Sequence, residues 1–577
     1  MKPSNQTNEF LFLLLAILIG ALAGAGTLGF LALIKVGQWG FWPGSGDFMA
    51  RVVAAPWWLK LLIPILGGLA VGPVIAFWAP EARGPGVPEV IEAAALREGH
   101  ILPRSALLKA WCTGLTIATG GSVGREGPVV GLGAAIGSYL TRLFSFSAGK
   151  GRICLACGTA AAFAATFNTP ISGALFTIEV ILADMEVVYL GHIVIAAIVA
   201  VLISRQFLGD FPTFQVAPFV FHHNVELLVY LALGLLAGLA AIAFTLGIYT
   251  ADGWFRRLPL PDWLKPALGG LALGGLAVVS PYILGVGYES INLGLAGKFA
   301  LAAAAFLLIT KYLATVLCLG SGMSGGIMGP SLFLGAMLGT ILSLAANHFF
   351  PGLNLQPTDY ALVGMGALVS GTILGPITAT VIIFELSNSH AIIVPAMVSC
   401  ITSFLVVKSL YGYSTYETKL ERRGVKIFRG REIHVLQSMQ VKDSMTKKME
   451  VIHDDTPLPE ILRRAQESIY PFFVVLNDQD ELSGVLTMWD LRPVLMRCGG
   501  VLPPLTARDL KVAHVVTVHP EDNFEKALHL LEGKNFSSLP VVLPPLNKTV
   551  VGILKVEDVL TAYNQRLLKE QMLRYPA

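Results

Sequence analysis

Glu126 is the residue whose setting demands a chemical explanation. It lies in Gly121-Ser-Val-Gly-Arg-Glu-Gly-Pro128, deep in apolar sequence and just ahead of the helix-like run Val129 to Phe144. An ionised side chain in hydrocarbon is costly unless paired or hydrated, so such a carboxylate marks a function by default. A helix start offers N–H groups without intrahelical partners and a partial positive charge of roughly half an elementary unit. It therefore favours an anion without a full cation to hold it too tightly. Glycine lets the backbone come close to that guest, and proline fits the first turn. The plainer reading is a helix-start carboxylate that satisfies nearby N–H groups.

The stretch has an altered copy. Gly124, Gly127 and Pro128 have counterparts at Gly326, Gly329 and Pro330 in Gly325-Gly-Ile-Met-Gly-Pro330, at an offset of 202. The same offset relates Lys109 to Lys311, Gly133 to Gly335, Gly137 to Gly339, and Leu66-Gly-Gly-Leu-Ala70 to Leu268-Gly-Gly-Leu-Ala272. Further on it becomes 206, relating Gly158 to Gly364, Pro170-Ile171 to Pro376-Ile377, and Glu179 to Glu385. This is an internal duplication. Two such helix starts facing each other, one per repeat, would form an anion site.

The elements that must position these groups are membrane helices. Of 577 residues, 54% are hydrophobic and 14% charged, and the mean hydropathy is +0.66, far more apolar than a soluble protein of this size. The net charge of +3 gives no ground for a nucleic-acid partner. Cys112, Cys154, Cys157, Cys318 and Cys400 lie in apolar segments and Cys498 in the tail, so no disulfide framework is expected. The pair Cys154 and Cys157 reads as small residues in a packed helix. The run from Phe10 to Ile34 exceeds the core of a cleavable signal and reads as a retained first span.

Apolar stretches lie near residues 10–36, 59–80, 105–120, 128–144, 152–167, 170–183, 190–207 and 226–251. They recur near 266–284, 299–320, 330–348, 360–373, 376–387 and 391–411. Several are shorter than the ~20 residues needed to cross a ~30 Å hydrocarbon core, and Gly and Pro interrupt them. Short, broken spans at matching places in two repeats point to a transporter-type fold with half-helices meeting near the midplane. The alternative is a duplicated bundle of ordinary helices with Gly for close packing.

The last apolar run ends at Tyr416-Glu-Thr-Lys-Leu-Glu-Arg-Arg-Gly424, followed by Lys426, Arg429 and Arg431. This basic edge predicts a cytoplasmic C-terminal region. From Val435 the composition is that of a soluble α/β region. Residues 441–496 and 507–563 each read as a short start, an amphipathic helix, a β run and a closing helix. In the first, Pro471-Phe-Phe-Val-Val-Leu476 precedes Gly484-Val-Leu-Thr-Met-Trp-Asp490; in the second, Leu539-Pro-Val-Val-Leu543 precedes Gly552-Ile-Leu-Lys-Val-Glu-Asp558. This is a second, independent duplication.

Four motifs in this order, Gly84-Pro-Gly-Val-Pro88, Gly124-Arg-Glu-Gly-Pro128, Gly325-Gly-Ile-Met-Gly-Pro330 and Ser414-Thr-Tyr-Glu-Thr418, resemble the CLC family of chloride channels and anion/proton exchangers, with a pair of CBS domains at the end. The resemblance implies an α-helical polytopic membrane protein with an inverted internal repeat, plus a cytoplasmic α/β CBS pair. The transport domain is expected over residues 1–430, with repeats roughly 55–207 and 260–411, CBS domain 1 over 435–500 and CBS domain 2 over 505–570. It further implies a homodimer in the lipid bilayer of a bacterial inner or plasma membrane, one anion pathway per subunit, chloride as the bound ion, and no enzyme chemistry, metal or required cofactor.

By the same resemblance Glu126 is the gate, its ionised side chain competing with the anion for the outer site and vacating it when protonated or displaced. Gly84, Pro85, Gly86, Gly124, Arg125, Gly127, Gly326, Ile327, Met328 and Tyr416 would surround the anion. Backbone amides of Ile327 and Met328 would bind the central ion, and the Tyr416 hydroxyl would donate from the cytoplasmic side, unless Tyr416 is an interfacial anchor.

Two departures matter. Pro85 replaces the serine with which many chloride-selective members bind the ion, and proline has neither a side-chain donor nor an N–H. Plant nitrate-handling members carry proline here, so nitrate joins chloride as a candidate. Val180 stands where proton-coupled members commonly have a second glutamate, the cytoplasmic proton acceptor, while Asp184 and Glu186 are the nearby carboxylates that could substitute. The sequence therefore favours passive, glutamate-gated conduction of small anions, with proton-coupled exchange as the alternative.

Glu179 and Glu385 read as structural pairing or capping groups, Lys109 and Lys311 first as snorkelling side chains, and His222 and His223 as loop residues. CBS pairs often bind adenine nucleotides through a Thr hydroxyl and an Asp; Thr487 and Asp490 keep that spacing, whereas the second unit has Lys555 with Asp558. An intramembrane hydrolase would need HExxH, GxSxG or clustered His and Cys, which the spans lack. A CBS-regulated cation transporter, the remote alternative, needs midplane acidic ligands, and the spans supply few.

Overall fold

The computed structural model describes residues 4–563 and 565, except 145–147, 184–189, 210–213, 215–224, 426–435, 437–438, 468–471, 498–502, 514, 534–536 and 544–548. Asp184, Glu186, His222, His223, Lys426, Arg429, Arg431, Val435, Pro471 and Cys498 lie outside the described residues. The chain divides into a unit Met1–Ile427 and a unit Phe428–Ala577.

The first unit is helical. Its first half holds α1 (Ser4–Phe41), α2 (Phe48–Ala54), α3 (Trp57–Pro73), α4 (Val87–Leu96), α5 (Pro103–Ala118), α6 (Glu126–Leu143), α7 (Ala148–Phe167), α8 (Pro170–Phe176) and α9 (Leu190–Leu208). A π turn, Thr177–Leu182, prolongs α8. The second half holds α10 (Glu226–Arg257), α11 (Lys265–Val279), α12 (Tyr288–Leu295), α13 (Leu301–Gly320), α14 (Met328–Phe349), α15 (Pro357–Ile373), α16 (Pro376–Ser387), α17 (Ile393–Leu410) and α18 (Thr415–Arg422). Among the described residues, seven helical stretches are long and apolar enough to cross a membrane, while Pro170–Leu182, Lys265–Val279 and Pro376–Ser387 are shorter. The chain is a multi-pass membrane protein.

Proline opens α5, α8, α15 and α16, where its missing N–H has no intrahelical partner to lose. Glycine sets the closest crossings. A Cβ on Gly133 would collide with the Gly158 carbonyl, and one on Gly335 with the Gly364 carbonyl, so the same α6–α7 contact is built again between α14 and α15. Close backbone approach of this kind is what drives helix association where lipid is as apolar as the side chains. Helices outside the repeats read from sequence also match: α1 packs on α5, α6, α7 and α9, and α10 packs on α13, α14, α15 and α17. No motif marks that correspondence; it rests on packing alone.

The repeats are inverted. Gly124 and Gly326 exchange two backbone hydrogen bonds of 2.7 Å each as an antiparallel pair. At α8 and α16, each repeat caps the other. The Glu385 carboxylate accepts the N–H groups of Ile171 (3.0 Å) and Ser172 (2.8 Å) and the Ser172 hydroxyl. The Glu179 carboxylate accepts those of Ile377 (3.1 Å) and Thr378 (2.7 Å) and the Thr378 hydroxyl (2.5 Å). Both carboxylates thus satisfy helix-start donors that have no partner in their own helix, which is the capping role read from the sequence.

The second unit is α/β. In its first half β1 (Glu450–His453) runs parallel to β2 (Phe472–Leu476), and β2 pairs antiparallel with β3 (Leu482–Thr487), flanked by α19 (Leu458–Glu467) and α20 (Met488–Arg497). The second half has α21 (Ala507–Leu510), α22 (Phe524–Gly533) and the antiparallel strands β4 (Ser538–Val542) and β5 (Val550–Lys555). The halves exchange their leading edges. Leu436 and Val441 pack in the core of the second half, and Ala507 in that of the first. Asp454 helps tie the first half together. Burial opposes its charge, but Lys511 Nζ (2.6 Å) and the Ser483 hydroxyl (3.0 Å) donate to it and hold its carboxyl below the usual range.

Candidate functional site

Three loops converge ahead of α4, α6 and α14. Gly84, at φ +67°, forms a parallel bridge with Ser324; its N–H donates to the Met323 carbonyl at 3.3 Å, and its own carbonyl accepts from Gly325 at 3.5 Å. A Cβ on Gly86 would stand 2.9 Å from the Gly127 carbonyl oxygen, and one on Gly326 3.2 Å from both the Gly124 oxygen and the Gly127 nitrogen. Only glycine permits a convergence this tight. The motifs that lie about two hundred residues apart in sequence therefore form one place in the fold.

Within it, the expected donors divide. The Gly124 and Gly326 amides bind each other's carbonyls, so the crossing of the two loops engages both. Ile327 and Met328 are buried, Met328 opening α14, and first-turn amides there have no intrahelical acceptor. Gly127 lies in the first turn of α6.

The Glu126 side chain is buried, and the second repeat supplies it with two donors: the Tyr288 hydroxyl, 2.9 Å from Oε1, and the Gly329 N–H, 3.4 Å from Oε2. Arg125 does not reach into the crossing. Its Nη2 donates to the Thr166 carbonyl at 3.1 Å and its guanidinium lies over the Tyr288 ring at 4.7 Å, so it braces the tyrosine beside a cavity of about 350 Å³.

The buried lysines correct another expectation. Lys109 and Lys311 do not snorkel; each ends on carbonyl oxygens of the loop that precedes a short helix. Lys109 Nζ donates to Glu81 and Pro85, both at 3.1 Å, and Lys311 Nζ to Ile283 (2.8 Å) and Gly285 (2.9 Å). A buried ammonium is tolerable only with such partners. Lys419, which sequence reasoning missed, reaches from α18 to the carbonyls of Arg83 (2.8 Å) and Pro85 (2.9 Å) and to Glu89 (2.7 Å). The Pro85 carbonyl thus sits between two ammonium groups, beside a cavity of about 460 Å³ lined by Gly84, Arg83, Glu89, Asp252 and Arg423. Tyr416, in the first turn of α18, is 2% exposed, too buried for an interfacial anchor; α18 packs on α4.

Val180 is buried in the π turn after α8 and offers no titrating group. In the second unit the Asp490 carboxylate accepts the Thr487 N–H (2.8 Å) and hydroxyl (2.6 Å) at the start of α20, while that of Asp558 accepts from the Lys555 N–H and the Thr446 hydroxyl, both at 3.3 Å. The Thr487 and Asp490 pair therefore caps a helix in this structure.

Residues 67–408 match the family described as voltage gated chloride channel, and residues 441–497 and 507–565 each match the CBS domain. A protein of Ralstonia nicotianae (strain ATCC BAA-1114 / GMI1000) named putative chloride channel protein ClcB-like is 34% identical over 71% of this chain and 96% of its own length. The H(+)/Cl(-) exchange transporter ClcA of Yersinia pestis bv. Antiqua (strain Angola) is 31% identical over 64% of this chain and 79% of its own. A crystal structure of a eukaryotic CLC transporter superposes with a TM-score of 0.65 at 19% identity, covering 95% of this chain and 97% of that one, which shows a shared fold.

Proposed function

We propose how this chain works from one premise: it belongs to the voltage gated chloride channel (CLC) family, and its transport unit carries anions across a membrane. The anion binds where the amides of Ile327 and Met328 meet the backbone of Gly84, Pro85, Gly86 and Gly127, with Tyr416 donating from the cytoplasmic side. Backbone N–H groups and helix ends replace the water the ion gives up. Glu126 is the gate. The observation that carries this reading is that its carboxylate rests on the Gly329 N–H and the Tyr288 hydroxyl, donors that an anion could equally use. Protonation removes the negative charge that competes for them.

A gate that takes a proton from one side and releases it to the other couples anion movement to proton movement, and the relative named as an exchange transporter supports that reading; we therefore favour chloride/proton exchange. Passive conduction is the second reading, favoured by the buried, non-titrating Val180 and by the relative named as a channel. Pro85 supplies no donor, so nitrate is the second candidate anion. The proposal includes a homodimer with the CBS pair in the cytoplasm. An adenine nucleotide at Thr487, Asp490 and Asp558 would have to displace the capping bonds seen there.

The test is a proteoliposome recording of anion efflux and proton movement together, in chloride and then in nitrate. Exchange predicts that a chloride gradient drives protons uphill; anion efflux with no proton movement selects conduction instead. Glu126→Gln removes a charge-assisted contact of about 1.5–3 kcal/mol, so flux should rise by roughly tenfold or more, lose its pH dependence and lose any proton coupling. Unaltered flux and pH response would take Glu126 out of the mechanism.

A further inference from the structure

We propose that Tyr288 is the latch of the Glu126 gate, a positioning residue that sets the pH at which anions pass. The inference rests on the reading of Glu126 as the gate and adds a residue to it. The Tyr288 hydroxyl donates to Glu126 Oε1 at 2.9 Å, shorter than the 3.4 Å contact from Gly329, so it is the better formed of the two bonds on the carboxylate.

The surroundings hold the hydroxyl in place. Tyr288 opens α12 directly after Gly287, whose φ of +96° turns the chain into the helix. Lys311 fixes the preceding loop through the Ile283 and Gly285 carbonyls. The ring is braced by the Arg125 guanidinium at 4.7 Å and meets Phe214 edge-on at 5.2 Å. Arg125 is itself tied to Thr166.

The duplication shows that this side chain is an addition. The counterpart of Tyr288 at the 202-residue offset is Gly86, where a Cβ would already press on Lys109 and on the Gly127 backbone. One repeat therefore presents bare backbone to the crossing and the other presents a hydroxyl. The charged and titratable groups that act on Glu126 are Arg125 at its own helix start, Tyr288 from α12 and Tyr416 from α18. Lys35 of α1, Arg205 of α9 and Glu289 of α12 line the cavity beyond the tyrosine, and Lys109 of α5 is held by Glu81 and Pro85. Of these, only Tyr288 gives the carboxylate a side-chain hydrogen bond among the described residues. A hydroxyl that donates to a carboxylate stabilises its ionised form, here the form that blocks the path.

The experiment is the pH dependence of anion flux in proteoliposomes for the full chain and for Tyr288→Phe, which keeps the ring and its packing and removes the hydroxyl. The half-maximal point should move to higher pH by about one to two units, with more flux at neutral pH. In a Glu126→Gln background, Tyr288→Phe should add nothing. An unmoved profile in Tyr288→Phe, with Glu126→Gln still flattening the pH response, overturns the latch and leaves the gate standing. A pH response that survives in Glu126→Gln overturns the gate, and the latch with it.

Discussion

Two sets of glutamates place their carboxylates at helix starts in this protein, and the duplication treats them differently. Glu179 and Glu385 are symmetric: each caps the opposite repeat with two amides and a hydroxyl. Glu126 has no symmetric partner, because its counterpart at the 202-residue offset is Met328, and its carboxylate holds one good bond and one long one. Where the repeats agree, they build scaffold. Where they differ, at Glu126 and Met328, Gly86 and Tyr288, Pro85 and Gly287, the differences cluster around the crossing. On the proposed reading of Glu126 as the gate, the carboxylate that moves is held by few bonds, and the two that stay are held by several.

The strongest way to break this contrast is to restore the missing symmetry. Met328→Glu would set a second carboxylate at the start of α14, where burial without a partner is costly and like charge opposes the anion. Anion flux should fall by more than about tenfold, and undiminished flux would mean that the two helix starts do not share a guest. Next, Glu179→Ala and Glu385→Ala should each leave helix-start donors unpaired and cost roughly 3 kcal/mol, seen as a lower unfolding midpoint in detergent. The pH profile of flux should stay put in both, and the two losses should match; a shifted profile would erase the line between scaffold and site. The smallest effect belongs to the tail. Asp490→Ala removes the α20 cap and should cost about 1 kcal/mol, read from the melting of the second unit, with flux unchanged.

Much of the membrane unit was legible because glycine, proline and buried charge leave marks that do not depend on neighbours. The offset at Gly124, Gly127 and Pro128 located both helix starts, and the matched Glu179 and Glu385 pointed to caps. Short helices escaped hydropathy: α4 and α12 have 10 and 8 residues, too few to register as spans. The duplication does not mark Tyr288, because Gly84-Pro-Gly86 meets Val286-Gly-Tyr288 at the 202-residue offset with no residue kept. Lys419 lay hidden in a basic edge, since reach to the Pro85 carbonyl depends on how α18 packs against α4. Lys109 and Lys311 resemble snorkelling residues until their carbonyl partners are known, and the exchanged edges of the second unit are long-range contacts that no local pattern encodes.

The double hydrogen bond between Gly124 and Gly326 has a mechanical meaning. It stitches the halves together where the loops ahead of α4, α6 and α14 converge, so parting the backbone there would break both bonds at once. If Glu126 is the gate proposed above, the motion that admits an ion falls to a side chain, and a single carboxylate swinging aside asks far less of the surrounding bilayer than two rigid bodies rocking against each other.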